Sequence, residues 1–445
     1  MEDKFLIDQQ TLRDLQLRDV NTRSIFDYFD QGITEGAQLL MLSIFYEPLM
    51  DVQAIKHRQM LIKRLEKVAH VEFPFYRIIL MDLEKYIQSR HSGIKRSIGI
   101  MDIVYVKSPI YYYKTRNIIE LSEFLIKLLS FYKQVDENDE YEDLREQIDI
   151  IEICLAQIFK KIPYDTEKLK INIFNVDDLD RLIRFELGKY IKKIIPFFYE
   201  IDAYLAVAKI AKANAYCYPE VFEKNETGKV KMQGVYHIYH KKPVKNDIVL
   251  NNEKRIWFLT GANMAGKSSI IKSISTAVYL THIGFPVPAD AIQMDLLDGL
   301  FTSINLQDNL ELGYSHFYVE AIRLKEIMGH LKPHSNALII LDELFKGTNH
   351  TDASKAIYEV MKELAQVKGP YLIVSSHITE LADQLQEIPM VDFYKMEIGA
   401  DSAGQPEFTY KIVPGIADEK LGMWLLKKSG AFDEINRLKE VNPSN

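Results

Sequence analysis

Thr260-Gly261-Ala262-Asn263-Met264-Ala265-Gly266-Lys267-Ser268-Ser269 is the stretch on which the reading of this chain turns. It follows an apolar, β-prone run, Ile256-Trp257-Phe258-Leu259, and within it Gly261-x4-Gly266-Lys267-Ser268 satisfies the phosphate-loop pattern. The two glycines let the backbone curl until its N–H groups point inward at a phosphate chain, so Gly261 through Gly266 are candidate phosphate ligands. Lys267 places a point charge on the β/γ oxygens, and Ser268 offers its hydroxyl to Mg²⁺. From Ser269 to Ile283 the pattern predicts a helix, with Ile270, Ile271, Ile274 and Val278 on one side and Gly284 as the stop. That helix aims its N-terminus, with Ser269 beside Ser268, at the same anion. The expected cofactors are ATP and Mg²⁺.

Working outward, size and composition bound what such a loop can serve. The chain has 445 residues, 47% hydrophobic and 27% charged, as in an ordinary soluble protein of two or three domains. A net charge of −8 excludes a surface coated in basic groups, so nucleic-acid binding has to come from a local patch. The two cysteines, Cys154 and Cys217, stand far apart in no metal-like spacing, which suits a reducing compartment. No run of about 18 apolar residues and no signal peptide is present, so the expected location is the cytoplasm, without a membrane partner.

Before the loop the chain reads as helical from residue 1 to about 235, in long amphipathic runs with few glycines. Glu47-Pro48-Leu49 breaks one helix, because the residue before a proline resists the α conformation. Between 90 and 116, Arg90, Lys95, Arg96, Lys107, Lys114 and Arg116 face a single acid, Asp102, with Tyr111, Tyr112 and Tyr113 interleaved. Such a stretch can bind a nucleic-acid backbone and bases, or be a solvated helix face with its tyrosines in the core. From Asp136 to Glu152 nine acids accompany one base, Arg145, a run expected on a solvated helix or hairpin tip. After about 236, short apolar strands alternate with helices, the texture of a parallel α/β sheet; Met232 to Tyr239 and Val244 to Leu250 are expected to lead into the loop as strands.

Further along, Ala337-Leu338-Ile339-Ile340-Leu341 ends in Asp342-Glu343. A carboxylate at a strand's C-terminal edge lies beside the phosphate loop in such sheets. Asp342 is expected to hold Mg²⁺ through water, and Glu343 to polarise the attacking water. The strand Tyr371 to Val374 runs into Ser375-Ser376-His377, which places His377 where it can sense a γ-phosphate. Between these strands, Ser315 reads equally as a ligand or as an N-cap for the helix after it, with Gly313 supplying the turn.

Together these segments resemble the MutS family of DNA mismatch-repair ATPases, within the wider ABC-type ATPase group. The loop is similar to that family's, including Asn263-Met264. Asp308-x-Leu310-x2-Gly313-x-Ser315-x-Phe317-x-Val319-Glu320 is similar to its signature segment, Leu341-Asp342-Glu343-Leu344-x2-Gly347-Thr348-x3-Asp352 to its acid strand and His377 with Glu380-Leu381 to its His switch. Phe408 to Gly422 resembles its closing segment. Thr11 to Leu17, Glu47-Pro48-Leu49-x-Asp51-x3-Ile55-x2-Arg58, Asp82-Leu83-Glu84 and Glu200-Ile201-Asp202-x2-Leu205 resemble parts of its core (lever) domain.

The resemblance implies a fold of two parts: an all-helical core over 1–235 with its clamp reduced or absent, then, over 236–445, an ABC-like phosphate-loop ATPase domain with a mostly parallel sheet and a C-terminal helical dimerisation segment. It implies ATP hydrolysis at composite sites of a homodimer, with Ser315 meeting the γ-phosphate held by the other subunit. It further implies control of an interaction with DNA, and other repair proteins as partners. The alternative is a nucleotide-switched scaffold acting on a protein partner. The chain begins where the family's core domain begins, so the mismatch-reading and connector domains are expected to be absent, as is an endonuclease-like module. Phe198-Tyr199-Glu200 matches the family's DNA wedge only formally, since it falls in a core helix. Where the family offers the adenine an aromatic residue, Pro243 and Val244 stand here, and Tyr410 falls where it places a ring on the other side of the base.

Overall fold

The computed structural model describes residues 4–17, 24–71, 77–89, 105–136, 141–162, 164–165, 168–262, 264–304, 316–346, 348–400, 405–417 and 428–441. The described residues are mixed helix and sheet, helical in the first half and built on a mostly parallel sheet in the second. No described helix is long and apolar enough to cross a membrane. The chain divides into two compact units: Met1–Ile25 with Glu47–Gln59 and Asn214–Asn445, and Phe26–Tyr46 with Met60–Ala213. Two amino-terminal segments and residues 214–235 thus fall in the same unit as the sheets.

In the helical unit, four long helices, Glu35–Tyr46, Pro109–Val135, Glu142–Lys161 and Gly188–Asn214, carry the pattern of buried apolar residues. Phe124 and Phe198 meet edge to face with ring centroids 5.3 Å apart, and both are buried. Phe198 lies buried in the helix Gly188–Asn214. The buried carboxylate of Asp202 accepts from the Thr34 N–H at 2.8 Å and the Thr34 hydroxyl at 2.7 Å, fixing the start of the helix Glu35–Tyr46. The next turn admits only glycine, since a Cβ on Gly36 would stand 2.2 Å from the Tyr199 ring.

The tyrosine-rich stretch divides its side chains. Arg90, Lys95, Arg96 and Asp102 lie outside the described residues. Lys114 turns inward, with its ammonium 2.8 Å from Asp177 and 3.5 Å from Asp180, and Arg116 pairs with Glu120 at 2.7 Å. Tyr112 stays 68% exposed. Of the acidic run, 137–140 fall outside the described residues and Glu142 onward form the helix Glu142–Lys161.

The sheet unit is organised by strands too apolar to face water on either side. Across the large sheet the order is Leu6–Ile7, Gly299–Ser303, Ala337–Asp342, Tyr371–Ser376, Ile256–Thr260, Val391–Ala400, Pro406–Pro414; only the last pairing is antiparallel. Ile256–Thr260, Ala337–Asp342 and Tyr371–Ser376 are buried along their whole length, as expected of parallel strands covered on both faces. A second, four-stranded sheet holds Glu220–Phe222, Ala291–Asp295, Lys229–Val235 and Asn246–Asn251. The two strands before the loop are thus shifted from the expected Met232 to Tyr239 and Val244 to Leu250; residues 236–245 connect them.

The helix after the loop, Lys267–His282, ends where Gly284 takes a positive φ of 72°. Its last residue, His282, is fully buried: Nδ1–H donates to the Leu49 carbonyl at 3.0 Å and Nε2 accepts the Leu297 N–H at 3.3 Å. That pairing needs a neutral ring, and burial pushes the His282 pKa down to about 4. Burial likewise pushes His237 down to about 4, helped by His240 and Lys272. In the unfolded chain these rings take up a proton near 6.5. Their contribution is therefore complete above about pH 6.5 and is lost as the pH falls toward 4. Chemical denaturation at pH 7.5 and pH 5 is expected to show a loss of roughly 2 kcal/mol per ring over that step. In His282→Gln the loss should shrink by about half, and an unchanged pH dependence would refute the assignment.

Candidate phosphate-binding site

The site grows from the junction of one strand and one helix. Trp257 seats the strand Ile256–Thr260, stacking on Tyr394 at 3.8 Å and donating Nε1–H to the Val249 carbonyl at 3.0 Å. Where this strand stops, Gly261 takes φ 146° and Gly266 φ 104°, values that favour glycine. Space gives a second reason: a Cβ on Gly261 would stand 3.1 Å from Met396, and one on Gly266 3.0 Å from the Tyr410 ring. The loop opens on a cavity of about 310 Å³ lined by Ala262, Met264, Gly266, Lys267, Ser268, Ser269 and Glu343. The N-terminus of the helix Lys267–His282 faces it, with free N–H groups and the positive end of the helix dipole. Met264 is 75% exposed at the rim and Ala265 is buried beneath.

Lys267 is 4% exposed, and its ammonium donates to the carbonyls of Gly261 at 2.7 Å and Ala262 at 3.3 Å. Burial holds its pKa below the ordinary lysine value, against the pull of Glu343 and Asp342. Ser268 donates its hydroxyl to Asp342 Oδ2 at 2.5 Å. The other Asp342 oxygen accepts the Ser375 hydroxyl. Glu343 Oε1 lies 3.4 Å from the Lys267 ammonium and Oε2 lies 2.9 Å from that of Lys346. Burial raises the Glu343 carboxyl, but Lys346, Lys267 and His377 together outweigh it and keep it below the usual glutamate range. It is therefore ionised at neutral pH. Its backbone is held too, at φ 52°, by donation from its N–H to Ser375 Oγ and O, each at 3.1 Å.

His377 follows the end of the neighbouring strand. Ser376 Oγ accepts the Ile378 N–H at 3.0 Å, a turn that leaves His377 exposed and close enough to Glu343 to act on its charge. Val244 and Tyr410 are brought together by Asn246, whose amide donates to the Val244 carbonyl at 3.3 Å and the Tyr410 carbonyl at 3.0 Å. Asn263, Gly347, residues 308–315 of the signature segment (Ser315 among them), and residues 418–422 of the closing segment lie outside the described residues.

The donor set fits magnesium. Ser268 and Asp342 present hard oxygens at the mouth of a phosphate loop, and a magnesium ion takes few protein ligands and completes its shell with phosphate and water. Among the described residues no group of three or more His, Cys, Asp or Glu is placed to hold a metal by itself.

Comparison with known proteins bears on the same stretch. A model described as MutS domain V matches residues 257–440, from the strand that feeds the loop into the last helix, Ala431–Val441. The DNA mismatch repair protein MutS of Chlorobium phaeovibrioides is 26% identical over 340 residues, 75% of this chain and 35% of the relative. That of Lactobacillus delbrueckii subsp. bulgaricus is 29% identical over 298 residues, 60% of this chain and 34% of the relative. That of Thermotoga maritima is 33% identical over 199 residues, 44% of this chain and 25% of the relative. Residues 257–440 of the chain are thus similar to domain V of the MutS family. The chain spans between a quarter and about a third of the length of these MutS relatives.

Several residues that shape this site carry no clear mark in the sequence. Ser375 clamps Asp342 and Glu343, Lys346 pairs with Glu343, and Asn246 joins Val244 to Tyr410. His240 Nε2 stands 2.8 Å from Ser269 Oγ. Thr260 Oγ1 accepts the Ala417 N–H at 2.9 Å, tying the closing segment to the loop. Ser375 has a signal in its place beside His377 at a strand end; the others reveal themselves only when distant strands become neighbours.

Proposed function

We propose that this chain is a MutS-type ATPase that binds ATP with Mg²⁺, hydrolyses it, and uses the cycle to control an interaction with DNA. The observation that carries the reading is the convergence of Lys267, Ser268 and Glu343 on one cavity, with Asp342 bonded to Ser268, at the C-terminal ends of two parallel strands that flank Tyr371–Ser376. The loop amides and Lys267 would hold the β- and γ-phosphates. Ser268 and Asp342 would hold magnesium, which when bound neutralises charge on the phosphates. Glu343, ionised, would take a proton from the water whose oxygen bonds to the γ-phosphorus as the bond to the ADP oxygen breaks and ADP leaves with the electron pair. His377 would sense the γ-phosphate, and Val244 and Tyr410 would flank the base. The sheet unit would be the ABC-like ATPase domain and the helical unit the lever. Ser315 would complete the site of a second copy, with the last helix as a dimerisation segment; Phe432 and Ile435 on it are exposed.

The inward turn of Lys114 and the pairing of Arg116 favour a second reading, in which the cycle switches a protein partner. A salt titration with duplex, branched and mismatched DNA separates the two. Under the first reading binding is measurable, and log affinity falls steeply and linearly with log salt, with a slope of roughly −0.9 per phosphate contact. Absence of binding to all three DNAs at low salt, with ATPase activity intact, would remove DNA from the proposal.

A further inference from the structure

We infer that His240 is a positioning residue for the phosphate chain of the nucleotide, acting through the hydroxyl of Ser269. The inference rests on the reading of the loop as an ATP site and deepens it. Ser269 stands in the first turn of the helix Lys267–His282 and lines the cavity. His240 reaches it from the connector between the strands Lys229–Val235 and Asn246–Asn251, and its Nε2 stands 2.8 Å from Ser269 Oγ. The connector is folded to make this reach. The His240 N–H donates to the His237 carbonyl at 3.0 Å, closing a turn, and the His237 ring lies 5.6 Å from that of Tyr239 and 5.9 Å from that of His240.

Charge and exposure point the contact at an anion. Residues 236–245 include two histidines, three lysines and no acid. Lys245 is paired with Asp290 at 2.5 Å, while Lys241 and Lys242 are exposed. Lys272, three residues beyond Ser269, adds a cation to the same side of the helix. His240 is itself exposed, so its hold on Ser269 is not forced by packing in a core.

The direction of the hydrogen bond gives the pair its role. A serine hydroxyl has one proton to donate and can accept as well. When His240 Nε2–H donates to Ser269 Oγ, the serine proton is left for a phosphate oxygen on the cavity side, and each donor in the row polarises the next. The opposite direction would turn the lone pairs of Oγ toward the anion, so a bound phosphate selects donation from His240. Val244, four residues on in the same connector, is the residue proposed to flank the base. One short segment would then address both ends of the nucleotide.

The test is a double-mutant cycle read by calorimetric titration with MgATP. It uses His240→Ala, Ser269→Ala, the two together, and His240→Gln, whose amide N–H can take the place of Nε2–H. His240→Ala is expected to weaken MgATP binding about 5-fold, the scale of one hydrogen bond. Ser269→Ala should weaken it at least as much. The double variant should bind within about 2-fold of Ser269→Ala, because His240 has no route to the phosphate once the hydroxyl is gone. His240→Gln should recover most of the affinity. Melting temperatures without nucleotide should match the parent's in both His240 variants, which a structural role for the ring would not allow. The inference is overturned if His240→Ala binds as tightly as the parent, if the two single losses multiply in the double variant, or if Gln binds as weakly as Ala. A parent chain that fails to bind MgATP would sink the ATP reading and this inference with it. A parent that binds, with His240→Ala unchanged, would sink this inference alone.

Discussion

Replacement of Glu343 by Gln is expected to slow ATP hydrolysis at least about 100-fold, close to 3 kcal/mol of barrier, while MgATP still binds. The amide keeps the shape of the side chain and loses the basicity. Geometry favours a specific loss, because the Glu343 backbone is fixed through its N–H to Ser375 rather than through its carboxylate. The carboxylate is ionised at neutral pH, since Lys346, Lys267 and His377 outweigh its burial, so the parent's rate should not fall as the pH drops through the ordinary glutamate range. Rapid-quench turnover, with nucleotide affinity measured alongside, checks both halves. Near-normal turnover would move the base to another residue, and loss of binding would make Glu343 a ligand instead.

Lys267→Ala is expected to weaken MgATP binding by at least about 100-fold, the scale of a charge-assisted hydrogen bond in a site shielded from water. Lys267 is the cation buried inside the loop, and burial has already lowered its pKa, so phosphate oxygens would meet an ammonium with little water to displace. Calorimetric titration reads the affinity. Thermal melting supplies the control: excess MgATP should raise the melting temperature of the parent and leave that of Lys267→Ala in place, because only a ligand that binds the folded state stabilises it. An unchanged affinity would mean that the loop amides and Mg²⁺ suffice to hold the triphosphate.

Much of the site is legible in the amino-acid sequence, because a phosphate loop is a property of a contiguous backbone. Gly261 and Gly266 have to be glycine for the φ values that the chain adopts, and the helix behind them stops at Gly284 as its pattern indicates. The acid pair is legible for a similar reason: an apolar strand that ends in Asp342-Glu343 delivers its carboxylates to one edge of a parallel sheet. Less legible are the strands that precede the loop, where the connector from 236 to 245 is polar and aromatic in a pattern that also suits an edge strand.

Tertiary structure alone decided the partnerships. The phosphate-loop strand lies between Tyr371–Ser376 and Val391–Ala400, both more than a hundred residues away in sequence, so no local pattern could foretell that Ser375 would clamp Asp342 or that Asn246 would join Val244 to Tyr410. The amino-terminal helical texture likewise hid that Leu6–Ile7 adds an edge to the large sheet and that Leu49 bonds to His282. Lys114 has the look of a surface cation in the sequence, and the fold sets Asp177 and Asp180 against it. Backbone conformation is set by neighbours a few residues away and is written in the sequence. Which side chains satisfy one another across a buried sheet depends on strand order, and that order emerges only when the apolar strands exclude water together.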